Sequence, residues 1–236
     1  MQIHGSTALV TGANRGIGRH FAQQLLERGA TKVYAAARNP ESVDLPGVEA
    51  LRLDITDPAS VAAAAATASD VTVLVNNAGI STLANLVNGD EALIRQDMET
   101  NYFGTLNMVR AFAPVLAAGG GGAILNILSG AAWRSPGMLA DSYAASKAAS
   151  WSLTNGVRLE LAAQGTQVSG LFVGMVDTDM TAGFDVPKAD PAAVARAGLD
   201  GIESGSLEVL ADQATVDLKA AMSADPALLY PELAGE

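Results

Sequence analysis

The stretch Ala8-Leu9-Val10-Thr11-Gly12-Ala13-Asn14-Arg15-Gly16-Ile17-Gly18 decides the fold. A short apolar run, residues 8–11, passes directly into three glycines and then into a helical pattern over residues 17–28. Glycines at such a junction let the backbone turn tightly and come close to a ligand. The helix start behind them presents unpaired N–H groups and a partial positive charge, which suit a pyrophosphate. Taken alone, the cluster is equally an ordinary strand-to-helix turn. Its place on the first strand of an alternating pattern turns the reading toward a dinucleotide.

Working outward, further β-rich runs fall at residues 32–37, 48–53, 71–76, 123–128, 167–172 and 208–210. Helical stretches at 59–68, 91–117, 142–163 and 192–203 separate most of them. Short strands alternating with longer helices indicate βαβ units and a parallel sheet. The strands are nearly all apolar, as when helices cover both sheet faces. The expectation is an α/β protein in one domain over residues 1–236, a doubly wound parallel sheet of about seven strands. The punctuation agrees. Gly29 and Gly165 stand where left-handed helix caps belong, Asp57-Pro58 opens a helix, and Gly119 to Gly122 precede a strand. The alanines at 62–66 follow from helix propensity.

The 236 residues are 49% hydrophobic and 17% charged, a globular balance. A chain of this size buries roughly 70% of its extended surface on folding. With no cysteine, the sequence has no disulfide framework, thiol catalyst or cysteine metal site, and it fits a reducing compartment. The first six residues lack a signal-peptide pattern, and the apolar runs break well short of the about 20 residues a membrane span needs. The expected location is the cytoplasm. A net charge of −11 repels nucleic acid and anionic lipid. A site for an anionic dinucleotide must therefore gather its few cations locally. The second strand ends Ala35-Ala36-Ala37-Arg38-Asn39. Where a NAD site usually places an acidic residue, this chain has alanine followed by a guanidinium, which suits a phosphate.

Tyr143 and Lys147, four residues apart in a helical stretch, share one face. A neighbouring ammonium favours a phenolate, so Tyr143 is expected below the usual phenol value of about 10 and able to pass a proton either way. Out of context the pair reads equally as a surface tyrosine with a solvated lysine. Ser129, at the end of a strand, stands where ligands sit in such sheets.

These motifs together resemble those of the short-chain dehydrogenases/reductases, in their shorter single-domain form. The resemblance covers nearly the whole chain and runs in family order: Thr11 to Gly18 (TGANRGIG), Asp54 in LDITD, Asn76-Asn77-Ala78-Gly79, Asn101, Ser129, and Tyr143-Ala-Ala-Ser-Lys147. It implies a Rossmann-like fold and an NAD(P)-dependent oxidoreductase. The implied cofactor contacts are Gly12, Asn14, Arg15, Gly16, Ile17 and Gly18 in the cradle, and Asp54 and Ile55 at the adenine. Asn77, Ala78 and Gly79 would lie near the ribose, with Asn76 fixing the sheet. Arg15 and Arg38 look like the pair that binds a 2′-phosphate, which favours NADP(H) over NAD(H). The implied catalytic set is Asn101, Ser129, Tyr143 and Lys147. Ser129 would orient a substrate carbonyl. Lys147 would also hold the nicotinamide ribose, and Asn101 would support a water relay to it. Val176 and Thr178 would meet the carboxamide. The chain departs from the pattern at Val173, where proline is usual, and at Leu128, where a second serine often stands.

A substrate would lie among the loop of the Ser80s region, residues 130–140 and the stretch after Thr178. Trp133, Met138, Leu139, Met175, Met180 and Phe184 suggest an apolar pocket for a small carbonyl or alcohol compound. Residues 175–205, and 181–190 in particular, read as a lid. His4 and His20 have no ligand or nucleophile spacing, and Asp177 and Asp179 read as solvated, so no metal is expected. The long helical stretches suggest a homodimer or homotetramer, against which a 24 kDa species in light scattering would count. The leading reading is an NADPH-dependent carbonyl reductase. The alternatives are an NAD-linked alcohol dehydrogenase and, in another class, a non-catalytic dinucleotide sensor. A sugar-nucleotide epimerase usually has a longer C-terminal substrate region.

Overall fold

In a computed structural model, residues 1–137 and 140–230 are described. Seven strands lie within them: β1 (Thr7–Thr11), β2 (Lys32–Ala37), β3 (Glu49–Arg52), β4 (Val73–Asn76), β5 (Gly122–Ile127), β6 (Thr166–Phe172) and β7 (Glu208–Leu210). They form one parallel sheet in the order β3-β2-β1-β4-β5-β6-β7. The chain steps outward from β1 to β3, then returns to lay β4 on the other side of β1. That reversal opens a crevice at the carboxyl ends of the strands.

Helices α1 (Gly16–Glu27) and α6 (Pro191–Ser204) cover one face of the sheet, and α2 (Pro58–Thr67), α4 (Thr105–Ala118) and α5 (Asp141–Glu160) the other. The period of two along β1 divides its side chains between them. Ala8 and Val10 join Phe21, Leu25, Val194 and Leu199, whereas Leu9 joins Met108, Phe112 and Leu116. Each fully buried large side chain contributes roughly 1.5–3 kcal/mol, so both helical layers are fixed to the sheet that carries the crevice. Gly29 and Gly165 take the left-handed conformation, with φ of 81° and 76°.

The structure differs from the sequence-based expectations in four places. Most element ends move by one or two residues, as where β4 begins at Val73 rather than Val71. The stretch 91–117 is not one regular helix. It divides into α3 (Glu91–Met98), a π-helical turn (Glu99–Gly104) and α4. Two C-terminal helices, α7 (Gln213–Ala221) and α8 (Pro226–Leu229), were not expected. Asp212 caps α7 through the Thr215 N–H, at 2.8 Å, an N-cap signal readable from sequence. Finally, residues 191–204 of the expected 175–205 lid form α6, whose Val194, Ala195, Leu199 and Ile202 are fully buried. That part of the stretch belongs to the core.

Candidate active site

A cleft of about 1200 Å³ runs along the carboxyl ends of the strands. At one end lies the glycine turn. Gly12 has a φ of +64°, and a Cβ on it would stand 3.1 Å from Ala78 Cα. A Cβ on Gly18 would stand 2.3 Å from the Gly12 carbonyl oxygen and 2.5 Å from Asn77 Nδ2. Only hydrogen fits at Gly18. The turn is tied to the end of β4: Asn77 Nδ2 donates to the Thr11 and Gly12 carbonyls at 2.9 and 3.2 Å. Thr11 Oγ1 accepts from the backbone N–H groups of Asn77 and Ala78 at 3.0 and 2.9 Å. Asn77 is thus committed to shaping the turn, while Asn76 donates to Asn126 across the sheet at 2.9 Å.

The start of α1 lacks a side-chain cap and an acidic residue in its first turn. Asp57, Asp90, Asp190 and Asp212, by contrast, each accept a backbone N–H at the starts of α2, α3, α6 and α7. An uncapped helix start facing a cleft leaves backbone donors for an anion. The close-fitting glycine turn and this uncapped start match what a pyrophosphate requires. Asn14, Arg15, Gly16, Ile17, Arg38, Asp54, Ile55, Gly79, Val176 and Thr178 also line the cleft.

Several residues have partners the sequence did not indicate. Arg15 pairs with Asp179 at 2.9 Å, with both side chains about 70% exposed. Such a pair contributes little, but it bridges the glycine turn to the loop beyond β6. Arg38 is exposed beside Asp54. The Asp54 carboxylate accepts from the Thr56 hydroxyl and N–H at 2.7 and 3.0 Å. The Thr56 hydroxyl, its N–H and the Arg38 guanidinium hold the Asp54 carboxyl below its usual range against partial burial. The Val176 carbonyl accepts from the Thr178 hydroxyl at 3.4 Å and also from that of Thr181.

The other end of the cleft holds Ser129, Tyr143 and Lys147. Ser129, just after β5, is buried and accepts from the Ala131 N–H at 3.1 Å. Tyr143 and Lys147 share a face of α5, with the ammonium 5.6 Å from the Tyr143 ring centroid. Lys147 is buried and donates to the Ile127 carbonyl at 2.9 Å. The expected lowering of the Tyr143 pKa is not observed. Burial pushes the phenol up to about 12, although the Ser129 hydroxyl pulls the other way by hydrogen bonding and Asp97 raises it further. Burial disfavours the charged phenolate, and the Lys147 ammonium is not among the groups that shift it. Burial likewise brings Lys147 down to about 8, opposed by Asp97.

Asn101 sits in the π-helical turn, held there by contacts with other elements. Its side-chain amide donates to the Ile80 carbonyl at 2.9 Å and to Ser146 Oγ at 2.8 Å, and its Oδ1 accepts from the Ile80 N–H at 2.9 Å. Its carbonyl, released from the regular ladder, accepts from the Thr105 and Ser150 hydroxyls at 2.8 and 3.0 Å. Asn101 therefore joins α5 to the loop after β4.

Sequence reading missed the hydroxyl stripe Ser142, Ser146, Ser150 and Thr154, spaced by four along α5 beside Tyr143 and Lys147. Each hydroxyl is buried and hydrogen-bonded, Ser142 to Asp97 and Thr154 to the Asn126 amide. The i, i+4 spacing was a readable signal. Of the expected pocket residues, Met175, Met180 and Phe184 line the cleft. Trp133 does not: its ring stacks on Phe172 at 4.0 Å, beneath Lys219. Met138 and Leu139 lie outside the described residues. Among the described residues no cluster of His, Cys, Asp and Glu could hold a metal, and no helix is long and apolar enough to cross a membrane.

A family model for short chain dehydrogenases matches residues 6–188, spanning the glycine turn, β1 to β6 and the Tyr143–Lys147 helix. The chain belongs to the short-chain dehydrogenase family. It is an NAD(P)-dependent oxidoreductase acting on CH–OH groups. Among relatives in that family, a sorbitol dehydrogenase from Cereibacter sphaeroides is 37% identical over 200 residues, covering 80% of this chain and 78% of that protein. A 3-oxoacyl-[acyl-carrier-protein] reductase from Vibrio harveyi is 32% identical over 191 residues, covering 77% and 78%. A short chain dehydrogenase from Burkholderia cenocepacia, solved in complex with NADP, is 40% identical with a TM-score of 0.94 over all of both chains. The seven-stranded parallel sheet described above is thus the fold of short-chain dehydrogenase structures.

Proposed function

We propose that this short-chain dehydrogenase is an NADPH-dependent reductase of small apolar ketones or aldehydes, reversible toward the alcohols. The carrying observation is one cleft with a glycine cradle at one end and Ser129, Tyr143 and Lys147 at the other. A bound reduced nicotinamide supplies the hydride. The chain's own residues supply orientation and the proton. Ser129 holds the carbonyl oxygen by hydrogen bonding and stabilises charge developing on it. Tyr143, whose phenol is pushed up to about 12, stays protonated at neutral pH and donates to that oxygen. Lys147 offers a cation beside the ring and would hold the ribose hydroxyls. Asn101 would keep Lys147 connected to solvent. In the cradle the uncapped start of α1 receives the pyrophosphate, Asp54 and Ile55 flank the adenine, and Asn77, Ala78 and Gly79 flank the ribose. Val176 and Thr178 border the carboxamide.

Arg38, and Arg15 on leaving Asp179, favour a 2′-phosphate and therefore NADP(H). The NADP complex of the Burkholderia relative supports this preference. Leu83, Met175, Met180, Phe184 and Val186 make the substrate end apolar, and residues 181–190 are the proposed lid. Exposed Phe103 and Leu159 support a homo-oligomer. A second reading is an NAD-linked polyol dehydrogenase, favoured by relatives named sorbitol dehydrogenase and galactitol 2-dehydrogenase. Nicotinamide absorbance over a panel of apolar ketones, sorbitol and galactitol with each cofactor separates the two. The expected result is turnover of ketones with NADPH, falling about 10²–10⁴-fold in Tyr143→Phe. Faster turnover of polyols with NAD selects the second reading, and undiminished Tyr143→Phe activity overturns the mechanism.

A further inference from the structure

Asp97 near the end of α3 is fully buried and takes part in no ion pair among the described residues. A buried carboxylate is costly unless donors satisfy it. Its donors are all neutral: the Thr82 N–H to Oδ1 at 3.0 Å, the Thr82 hydroxyl to Oδ2 at 2.9 Å, and the Ser142 hydroxyl to Oδ2. Two of these partners belong to the loop that borders the cleft. The third immediately precedes Tyr143 on α5.

The clamped loop is strained. Leu83 has a φ of +57°, the one positive value at a non-glycine among the described residues. That conformation costs an L-residue about 1–2 kcal/mol and persists only where the surroundings impose it. Here both flanks are fixed, Thr82 by Asp97 and the Ala84 carbonyl by the Ser142 N–H at 3.3 Å. Leu83 is thereby turned to line the cleft.

We propose that Asp97 is a positioning residue of the active site, whose buried carboxylate clamps the Leu83 loop to the catalytic helix and sets the charge felt by Tyr143 and Lys147. This rests on the proposed proton-transfer role of that pair. Few other charges compete. On α5 the groups are Tyr143, Lys147 and Asp141, whose carboxylate is engaged by the Ser135 hydroxyl, with Arg158 and Glu160 at the far end of the helix. On α3 itself Arg95 pairs with Glu91 at the surface, at 2.6 Å. Asp90 caps that helix, and Glu99 lies in the π-helical turn. The loop from Ile80 to Ala84 carries no titratable side chain. A negative charge here opposes deprotonation of both Lys147 and Tyr143, raising both pKa values. Removing it lowers both.

Two variants test the assignment. Asp97→Asn keeps the shape and removes the charge. Its pH–rate profile is expected to move to lower pH by about half a unit to one unit. Thr82→Val keeps the charge and loosens the loop. It is expected to raise KM for an apolar ketone by about 3–10-fold with an unmoved profile, the loss of one hydrogen bond. If Asp97 merely braced the fold, Asp97→Asn would lower Tm and kcat with an unmoved profile, and that outcome overturns the proposal. Should Asp97→Asn fail to fold, an unchanged KM in Thr82→Val overturns it instead. Undiminished turnover in Tyr143→Phe would identify the underlying reading, rather than Asp97, as the failure.

Discussion

At the β1 end of the cleft the wall is main chain, while at the β5 end it is a network of side chains. Gly12 and Gly16 bring backbone atoms to the surface of the first wall, Gly18 lets the turn pack closely behind them, and Asn77 and Thr11 tie it down. The second wall consists of Ser129, Tyr143, Lys147 and Asn101, held in place by Asp97 and the hydroxyls of α5. The first wall tolerates change in an all-or-none way, because a backbone cannot yield to an extra carbon. The second responds in degrees, because hydrogen bonds and charges can be weakened one at a time.

The largest expected effect comes from breaking the first wall. In Gly18→Ala the new carbon would stand 2.3 Å from the Gly12 carbonyl oxygen. Overpacking of that kind costs about 1–3 kcal/mol, a fall in Tm of roughly 3–10 °C for a domain of this size. Calorimetry and cofactor titration should show loss of both stability and dinucleotide binding. Gly156→Ala on α5, where nothing lies within 4 Å, is the control and should be neutral or slightly stabilising. An unaltered Gly18→Ala enzyme would refute the steric account.

A smaller effect is expected at the rim of the same wall. Arg38→Ala removes a charge-assisted contact worth about 1.5–3 kcal/mol, so KM for NADPH should rise roughly 10–100-fold while that for NADH barely moves. Equal changes for both cofactors would place Arg38 outside a 2′-phosphate site. The smallest effect belongs to the loop of the second wall. Leu83→Gly relieves a strain of about 1–2 kcal/mol but adds unfolded-state entropy of about 0.5–1 kcal/mol. Thermal melts should therefore show Tm level or slightly raised, with a weaker KM for apolar ketones. A clear drop in Tm would mean that Leu83 supports the fold rather than lining the cleft.

The contrast also explains what could be read from sequence. The β1 wall was legible because its determinants are adjacent: Thr11 to Gly18 hold the strand end, the turn and the helix start in one stretch. The parallel sheet was legible for a similar reason, since each apolar run is local and ends at a recognisable break. The β5 wall depends on contacts between different elements, such as Asp97 with Ser142 and Asn101 with Ser146, each pair 45 positions apart. No periodicity within α3 marks Asp97 as more than a polar residue on a helix. The π-helical turn at Asn101 was hidden too, because it forms only when Ile80, Ser146 and Ser150 are brought against it. The rise in the Tyr143 pKa has the same origin. Sequence spacing gives the distance between a phenol and an ammonium, but not how little water reaches either one. Trp133 shows the limit for pockets, since an aromatic residue in a loop can equally turn inward and stack on Phe172.

The hydroxyl stripe of α5 has a consequence for assembly. Ser142, Ser146, Ser150 and Thr154 contribute little apolar area, so they do not drive the helix onto the sheet. They act instead as a proofreading step. If α5 docked rotated by a single residue, Asp97, Asn101 and Asn126 would lose the hydroxyls that face them, and each buried orphan would cost about 1–3 kcal/mol. Wrong seatings are thus rejected one hydroxyl at a time, and the seating that survives turns Tyr143 and Lys147 toward the cleft.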